Sequence, residues 1–308
     1  MNTNVKKNKS SELIVMIILA ICAFASVAIV GFIVLFLFYT AIPTVAEVGF
    51  FDFIFGKVWS PNETYEYCQE TWEIIEVIPP RFGIWNLILT SFYGTFGAIL
   101  IGVPIGILAA IALAEILPQK VAQIVSPAVN LLAGIPSVVY GAVGAIFLVP
   151  QVQKLFDLPT GMTLFSAIIV LSIMVLPTII SVSTTSIRAV PKTYMEASLA
   201  LGLTKEASVY KIVVPAARSG ILTGVLLGLG RAIGEAMAII LVAGNLPNAP
   251  KLLEGARFLT TGIVAEFSYS DGLHRNVLFS IGAVLFVFIL VINSLFYAII
   301  RRMEKNNG

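Results

Sequence analysis

The chain has 308 residues, of which 58% are hydrophobic and only 12% are charged, and its formal net charge is +2. Soluble domains carry about 25% charged and about 45–50% apolar residues, so one soluble core cannot hide this apolar excess. The composition therefore predicts an integral membrane protein, and the near-neutral balance gives no basis for a nucleic-acid partner.

Six long apolar segments follow one another along the chain. A helix needs about 20 apolar residues to cross a bilayer core about 30 Å thick, and its backbone groups must be paired internally there. We therefore expect six transmembrane α-helices rather than alternating β-barrel strands. The first segment is far longer than the apolar core of a signal peptide, about 7–15 residues, so we expect it to be retained. The predicted spans are Leu13 to Val45, Phe82 to Ala114, Val121 to Val152, Leu158 to Ile187, Ser219 to Pro250 and Asn276 to Ile300.

Cysteine, histidine and phosphate-loop patterns argue against an enzyme. Cys22 lies in an apolar segment and Cys68 in a polar loop, so we expect no disulfide between them. His274 is the only histidine, which excludes a histidine metal cluster. The sequence has no G-x-x-x-x-G-K-[ST] phosphate loop, so the chain does not bind and hydrolyse ATP by that route. We expect no cofactor or metal on this chain.

Lysine and arginine placement predicts the orientation of the spans. Twelve of the 19 cationic residues fall in the two tails and in the loops that follow the second and fourth spans, and six fall on the other side. The side richer in lysine and arginine is the cytoplasmic one, so both termini are predicted there. The sequence thus divides into an N-tail with the first span (1–45), an external loop (46–81), a core of five spans (82–300) and a C-tail (301–308).

The external loop is acidic and aromatic. The loop contains seven acidic residues but only two basic ones, Lys57 and Arg81. A surface this acidic would repel anions. Two interpretations stay open: a solvated cap over the outer mouth, or a contact surface for an external partner. Trp59 and Trp72 suit the role of anchors at the membrane interface.

The segment 188–218, between the fourth and fifth spans, predicts a helix, a glycine turn and a second helix. Pro191 suits the first helical position, and Gly202 suits the left-handed C′ position that ends a helix. Thr204 is suited to cap the second helix, and Pro215 fits a bend into the fifth span. We expect a compact projection below the membrane.

This segment resembles the E-A-A…G…I-x-L-P loop of the permeases of ATP-binding-cassette (ABC) importers. The residues that carry the resemblance are Glu196, Ala197, Ser198, Gly202, Ile212 and Pro215. The sequence departs from the pattern at Ser198, where alanine is usual, and at Val214, where leucine is usual. The resemblance implies an all-α type I importer permease of six spans, in which this loop docks as a coupling helix on a separate ATPase subunit. ATP and magnesium would then bind to that partner; the alternative is an ordinary amphipathic loop.

Further segments resemble the C-type subunit of the phosphate-specific (Pst) permeases. They are Leu132 to Gly141, Gly228 to Ala238, and Phe51 to Gly56 with Trp59 and Pro61. Asn86 stands where that family often has proline, and the acidic stretch around Cys68 has no match.

The Pst resemblance implies import of inorganic phosphate across the inner membrane of a prokaryote. The implied partners are a second, A-type permease, two ATPase subunits, an extracellular phosphate-binding protein and membrane lipid. The alternatives are a permease for another oxyanion such as sulfate or molybdate, and an ATP-independent channel or carrier.

Arg231 and Glu235 are the two charges in the fifth span. Arg231 follows Ser219 by twelve residues, or about 18 Å of helix, so it is expected near mid-membrane. A charge there costs about 2.5–3.5 kcal/mol on insertion scales and usually faces a bundle interior or a watery cavity. Glu235 follows at i+4, within reach on the same face. Three interpretations stay open: the guanidinium contacts the substrate, the two residues form a gating ion pair, or they form a static ion pair. The Pst resemblance implies that both residues are important for transport.

Glycines at helical spacing also mark the fifth span. Gly220, Gly224 and Gly228 lie four residues apart, with Gly230 and Gly234 beside them. Small residues let helices approach closely in lipid, so the fifth span is predicted to be a central packing helix. Whether its partner belongs to this chain or to a second subunit stays open.

Overall fold

The computed structural model describes residues 9–67 and 74–305. The first half of the helical elements comprises α1 (Lys9–Val48), α2 (Phe50–Phe55), α3 (Trp85–Ile111), α4 (Gln119–Ala133), α5 (Ser137–Val143), α6 (Val149–Leu155) and α7 (Leu164–Arg188). The second half comprises α8 (Lys192–Ala200), α9 (Lys205–Ser208), α10 (Val214–Ala216), α11 (Arg218–Ile233), α12 (Met237–Ile240), α13 (Leu259–Glu266) and α14 (Gly272–Lys305). Three π-helical segments complete them: Ala112–Ile116 after α3, Gly144–Leu148 between α5 and α6, and Val209–Val213 between α9 and α10.

The predicted number of membrane spans is reached only when one bent helix pair is counted. Within the described ranges, five helical stretches are long and apolar enough to cross a membrane. Six are reached when the bent pair Lys205–Ala216 and Arg218–Ile233, whose halves meet at 69°, is counted as one span, the fifth in chain order. Pro215 lies at the start of α10, directly before this bend, as the sequence predicts. The all-α membrane fold predicted from the sequence is confirmed.

The third predicted span is wrong at its beginning. The apolar segment from Val121 is split into α4 and α5 by Gly134, Ile135 and Pro136, and the stretch that can span runs from Ser137 to Leu155. The residue before a proline is pushed into extended backbone, and proline has no N–H for a helical bond. Gly134 is the C-cap of α4 and Pro136 is the N-cap of α5, so this Gly-Ile-Pro sequence separates the two helices. The hydroxyl of Tyr140 donates to the carbonyl of Leu132 at 2.8 Å and bridges the break.

The fifth predicted span is shorter than expected. Helix α11 ends at Ile233, and α12 is a separate helix of four residues. The chain from 241 to 258 is not helical, but its backbone is paired: Leu164 N donates to Glu254 O at 3.0 Å and Ala256 N to Ala243 O at 2.8 Å. Such pairing is what allows irregular backbone at membrane depth. Helix α13, which follows, was not predicted.

The fifth span packs against helix α7, which is the more buried of the two. Fourteen of its 25 residues are buried, against 7 of 16 in α11. Glycines of two neighbours face it: a Cβ on Gly102 of α3 would lie 2.8 Å from Val175 Cγ2, and one on Gly228 of α11 would lie 2.9 Å from Ile179 Cγ1. The glycines let α3 and α11 close on α7 from two sides.

Helix α1 lies at the edge of the fold. It packs on α14 through edge-to-face ring pairs, Phe36 with Phe279 at 5.4 Å and Phe38 with Phe286 at 6.2 Å. Most of its other apolar side chains are exposed, and so is Cys22. An apolar surface of this extent fits a helix that faces lipid.

The external loop is folded where the structure describes it. The strands are β1 (Trp59–Ser60), β2 (Thr64–Tyr67), β3 (Ile74–Ile78) and β4 (Arg81–Phe82). β1 pairs antiparallel with β4, and β2 pairs antiparallel with β3. Asn86, at the start of α3, donates to the carbonyls of Lys57 at 2.8 Å and Pro247 at 3.2 Å, which fixes this loop on the core. Cys68 and Trp72 lie outside the described residues.

Candidate translocation and coupling sites

Arg231 lies in the last turn of α11 and turns toward α7. Its Nη1 donates to Thr178 Oγ1 at 3.4 Å. The side chain is only partly buried. Helix α11 thus brings the guanidinium to the hydroxyl of Thr178 on α7, and four of its five N–H donors take no part in that bond.

Arg231 and Glu235 do not form an ion pair in this structure. The helix ends at Ile233, and its C-cap residue is Gly234, so Glu235 does not follow Arg231 on one helical face. Glu235 is 8% exposed, and its Oε1 accepts a hydrogen bond from Ala238 N at 2.9 Å. Its carbonyl accepts from Thr260 Oγ1 of α13 at 2.7 Å. Among the described residues, the ion pairs within 4.0 Å do not include Arg231 with Glu235. Glu235 instead caps α12 and ties it to α13.

The loop after α7 folds as a helix, a left-handed glycine and a second helix. Gly202 has φ +86°, and around it Leu203 N donates to Ser198 O and Gly202 N to Leu199 O. This pair of bonds is the Schellman ending that the glycine predicts. Thr204 then caps α9, since its Oγ1 accepts from Ala207 N at 3.3 Å. Pro191 precedes α8 as its N-cap rather than filling the first helical position.

Ser198, which stands where the family pattern has alanine, satisfies its hydroxyl within its own helix. Ser198 is buried, and its hydroxyl donates to Met195 O at 2.7 Å. Its polar group therefore needs no outside partner, which makes serine compatible with a position where alanine is usual.

The tip of the loop that follows α7 (188–218), which the resemblance implies is the coupling loop, is exposed, and its base is buried. Glu196 and Ala197 are exposed, and Leu201 is 84% exposed beside Gly202. On the inner side, Val209 and Val213 pack with Ile111 of α3 and Ile187 of α7. Of the remaining residues of the resemblance, Ile212 is half-buried and Pro215 exposed. The loop therefore joins a solvent-exposed tip to the ends of three spans.

The glycines of α11 fall on two different faces. A Cβ on Gly220 would lie 2.3 Å from Ser186 Oγ, and one on Gly224 would lie 3.1 Å from Ser183 Oγ. With Gly228 they form the face that meets α7. A Cβ on Gly230 would meet no other atom within 4 Å, and one on Gly234 would meet only carbonyls of its own helix end. The second face of α11 is thus open within this chain.

The sequence did not predict a buried polar cluster around Glu266. Glu266, 4% exposed, pairs with Arg257 Nη1 through Oε1 and with His274 Nε2 through Oε2 at 2.8 Å. Trp59 Nε1 donates to both carboxylate oxygens at 3.1 Å. Trp59 is itself 8% exposed, so it is a core residue and not an interfacial anchor. The cluster joins the external loop to α13 and α14.

The charge of Glu266 reaches one more side chain, Tyr269. Partial burial raises the pKa of the Tyr269 hydroxyl above its ordinary value, Glu266 adds to the rise, and Arg257 opposes it. The phenol is therefore neutral at physiological pH. The clue in the sequence was an acid at the end of an apolar stretch, but Trp59 lies 207 residues away from it, beyond any local pattern.

The chain matches a family of transport proteins and two bacterial relatives. The family described as binding-protein-dependent transport system inner membrane component matches residues 102–305. The probable ABC transporter permease protein YqgH of Bacillus subtilis (strain 168) is 36% identical over 259 residues, which are 82% of this chain and 77% of the relative. The phosphate transport system permease protein PstC of Pasteurella multocida (strain Pm70) is 33% identical over 278 residues, 84% of this chain and 82% of the relative.

A solved structure supports the fold. An inward-facing structure of the MetNI methionine ABC transporter superimposes with a TM-score of 0.54 at 22% identity. The superposition covers 72% of this chain and 94% of that one.

Proposed function

We propose that the chain, which belongs to the family of binding-protein-dependent transport system inner membrane components, is the permease subunit of an ATP-driven importer of inorganic phosphate. The observation that supports phosphate as the substrate is the 33% identity with the PstC phosphate permease over 84% of the chain. The partly buried Arg231 fits that substrate, since a guanidinium offers phosphate oxygens a planar fork of donors.

The subunit works inside a larger assembly. The proposed partners are an A-type permease, two ATPase subunits that bind ATP and magnesium, and an extracellular phosphate-binding protein. The open face around Gly230 and Gly234 supports pairing with a second permease subunit, because small residues there allow it to approach closely. Both termini and α8 lie in the cytoplasm in this proposal, as the distribution of lysine and arginine indicates.

The coupling loop transmits the ATPase cycle to the spans. The exposed tip at Glu196, Ala197 and Leu201 docks on an ATPase subunit. The base packs on the ends of α3 and α7 and leads through the 69° bend into α11. A displacement of the tip therefore acts on α11, which carries Arg231, and on α7, which carries Thr178.

Arg231 and Glu235 have different tasks in this proposal. Arg231, partly exposed beside α7, meets the passing anion or the partner subunit. Glu235 holds α12 on α13 and fixes the backbone turn that ends α11. Glu235 thus sets the position at which the guanidinium is presented.

Transport by the reconstituted complex tests the proposal. Proteoliposomes that contain the chain and its co-purified subunits, with the binding protein outside and ATP at the ATPases, should accumulate labelled phosphate in preference to labelled sulfate. Uptake of sulfate without phosphate would move the assignment to another oxyanion. Uptake that continues without ATP would replace the importer with a channel or carrier.

A further inference from the structure

A polar cavity lies between α4 and α7, away from Arg231. Its volume is about 640 Å³, within the range of about 300–1,000 Å³ that small-molecule sites occupy. Leu113, Gln123, Arg188 and Lys192 are among the residues that line it. A smaller cavity of about 80 Å³ shares Leu113, Ser126 and Arg188 with it and reaches Thr184. The two form one polar recess beside the junction of α7 and α8.

The charge of the recess is positive. Arg188 and Lys192 line it, and the lining residues of both cavities include no aspartate or glutamate. Arg188 Nη2 donates to Leu113 O at 2.9 Å, and the guanidinium has five N–H donors in all. The recess therefore offers charged donors to an anion.

Two helix N-termini add to this field. The first turn of α4, a helix of 15 residues, contributes Gln119, Ala122 and Gln123 to the lining. Lys192 is the first residue of α8, a helix of nine residues. Helix N-termini carry partial positive charge and free N–H groups, which favour anions. The C-terminus of α7 has the opposite sign, but Arg188 lies at that position and offsets it.

Two hydroxyls without hydrogen-bond partners belong to residues that line the recess. Thr184 is 6% exposed, and its Oγ1 has no hydrogen-bond partner. Ser126 Oγ, which borders both cavities, is also buried without a partner. Leaving such a group unpaired costs about 1–3 kcal/mol, so a ligand with several acceptor oxygens would relieve a cost that the empty fold carries.

We propose that this recess binds a phosphoryl group, with Lys192 and Arg188 as its cations and Thr184 and Ser126 as hydroxyl donors. A phosphoryl group presents negative charge and multiple acceptor oxygens, which match these donors. Its source is either inorganic phosphate or the headgroup of an anionic phospholipid. The site is separate from Arg231, which lines neither cavity, and it does not depend on which oxyanion is transported.

Binding to matched variants tests the site. The full-length chain, with whatever subunits co-purify, is placed in phosphatidylcholine nanodiscs, and the affinity for ³²P-labelled inorganic phosphate is measured without nucleotide or binding protein. In parallel, native mass spectrometry counts the phosphatidylglycerol retained from nanodiscs that contain it. The variants are Lys192→Gln and Thr184→Val; the control is Lys120→Gln, which removes an exposed cation from the same first turn of α4 but does not line the recess.

One of the two probes should respond to the recess variants and not to the control. Either phosphate binds about fivefold more weakly to Lys192→Gln and Thr184→Val, or about fivefold less phosphatidylglycerol is retained. The first result identifies a site for the free anion and the second a headgroup site. The proposal is overturned if neither probe responds to Lys192→Gln, or if Lys120→Gln responds equally. Because the readout is binding, a complex that transports no phosphate leaves this result intact.

Discussion

At the scale of single residues, Arg231 and Glu266 show two ways in which a charge is kept inside an apolar fold. Arg231 is partly exposed and has one hydroxyl contact at 3.4 Å, so its guanidinium can change partners. Glu266 is enclosed by Arg257, His274 and Trp59, so its carboxylate is fixed. We therefore propose that Arg231 takes part in transport and that Glu266 stabilises the fold.

Replacing Arg231 should reduce transport more than it reduces stability. We expect Arg231→Gln to lower the initial rate of phosphate uptake at least tenfold, because a charged donor is lost where an anion must pass, and Arg231→Lys to retain part of it because charge remains without the planar fork. Uptake is measured in proteoliposomes at equal amounts of assembled complex. Arg302→Gln, an exposed arginine at the end of α14, is the control. Equal rates for the two glutamine variants would exclude a transport role for Arg231.

Replacing Glu266 should destabilise the chain. We expect Glu266→Gln to lower the free energy of unfolding by about 3 kcal/mol, because removing one partner of a buried pair leaves Arg257 uncompensated. Glu254→Gln is the matched control: Glu254 pairs with Lys251 at 2.7 Å, but their side chains are 49% and 68% exposed, and such a pair contributes less than about 1 kcal/mol. Denaturant unfolding in detergent measures both. Similar losses in the two variants would show that the Glu266 cluster carries no special weight.

At the scale of elements, local sequence rules predicted helix ends correctly, whereas long apolar segments did not predict where each span begins and ends. Gly202 and Thr204 occupy their predicted places because the backbone at a helix end is decided by a few neighbouring residues. The third span begins later than its apolar segment because apolarity alone does not register the break at Gly134, Ile135 and Pro136. The Glu266 cluster needs Trp59, 207 residues away, and only the folded chain brings the two together.

The two glycine faces of α11 should respond oppositely to alanine. Gly228→Ala puts a Cβ 2.9 Å from Ile179, and we expect about 1–3 kcal/mol of destabilisation from the overpacked contact with α7. Gly230→Ala meets no atom within 4 Å and should stabilise the isolated chain by about 0.5–1 kcal/mol, since alanine is the better helix former. Unfolding of the isolated chain in detergent measures both.

A larger residue at Gly230 then tests the heterodimer. Gly230→Leu should leave the isolated chain folded but reduce recovery of the second permease, because the open face would no longer permit close approach. Full recovery of the partner with Gly230→Leu would place the subunit interface elsewhere.

At the scale of the whole molecule, α7 connects the parts to which we have assigned a role in transport. It packs on α3 and α11, offers Thr178 to Arg231 and ends at Arg188, directly before the coupling loop. Packed helices transmit small displacements because close-packed interiors do not deform continuously. The same helix borders both the transport residue and the proposed phosphoryl recess, so a movement of the coupling loop changes the surroundings of both.

The tip of the coupling loop should bind the ATPase without contributing to the fold of the chain. Leu201 is 84% exposed, so Leu201→Asp should change the free energy of unfolding by no more than about 0.5 kcal/mol, the usual range for an exposed position. The same change puts a charge into the proposed docking surface, where it would be desolvated, and we expect the ATPase subunits to be lost on co-purification. Leu252→Asp is the control, since Leu252 is 52% exposed on the opposite, external side in our topology. ATPase that remains bound to Leu201→Asp would mean that the loop does not carry the contact, and ATPase lost equally from Leu252→Asp would trace the effect to assembly or topology in general.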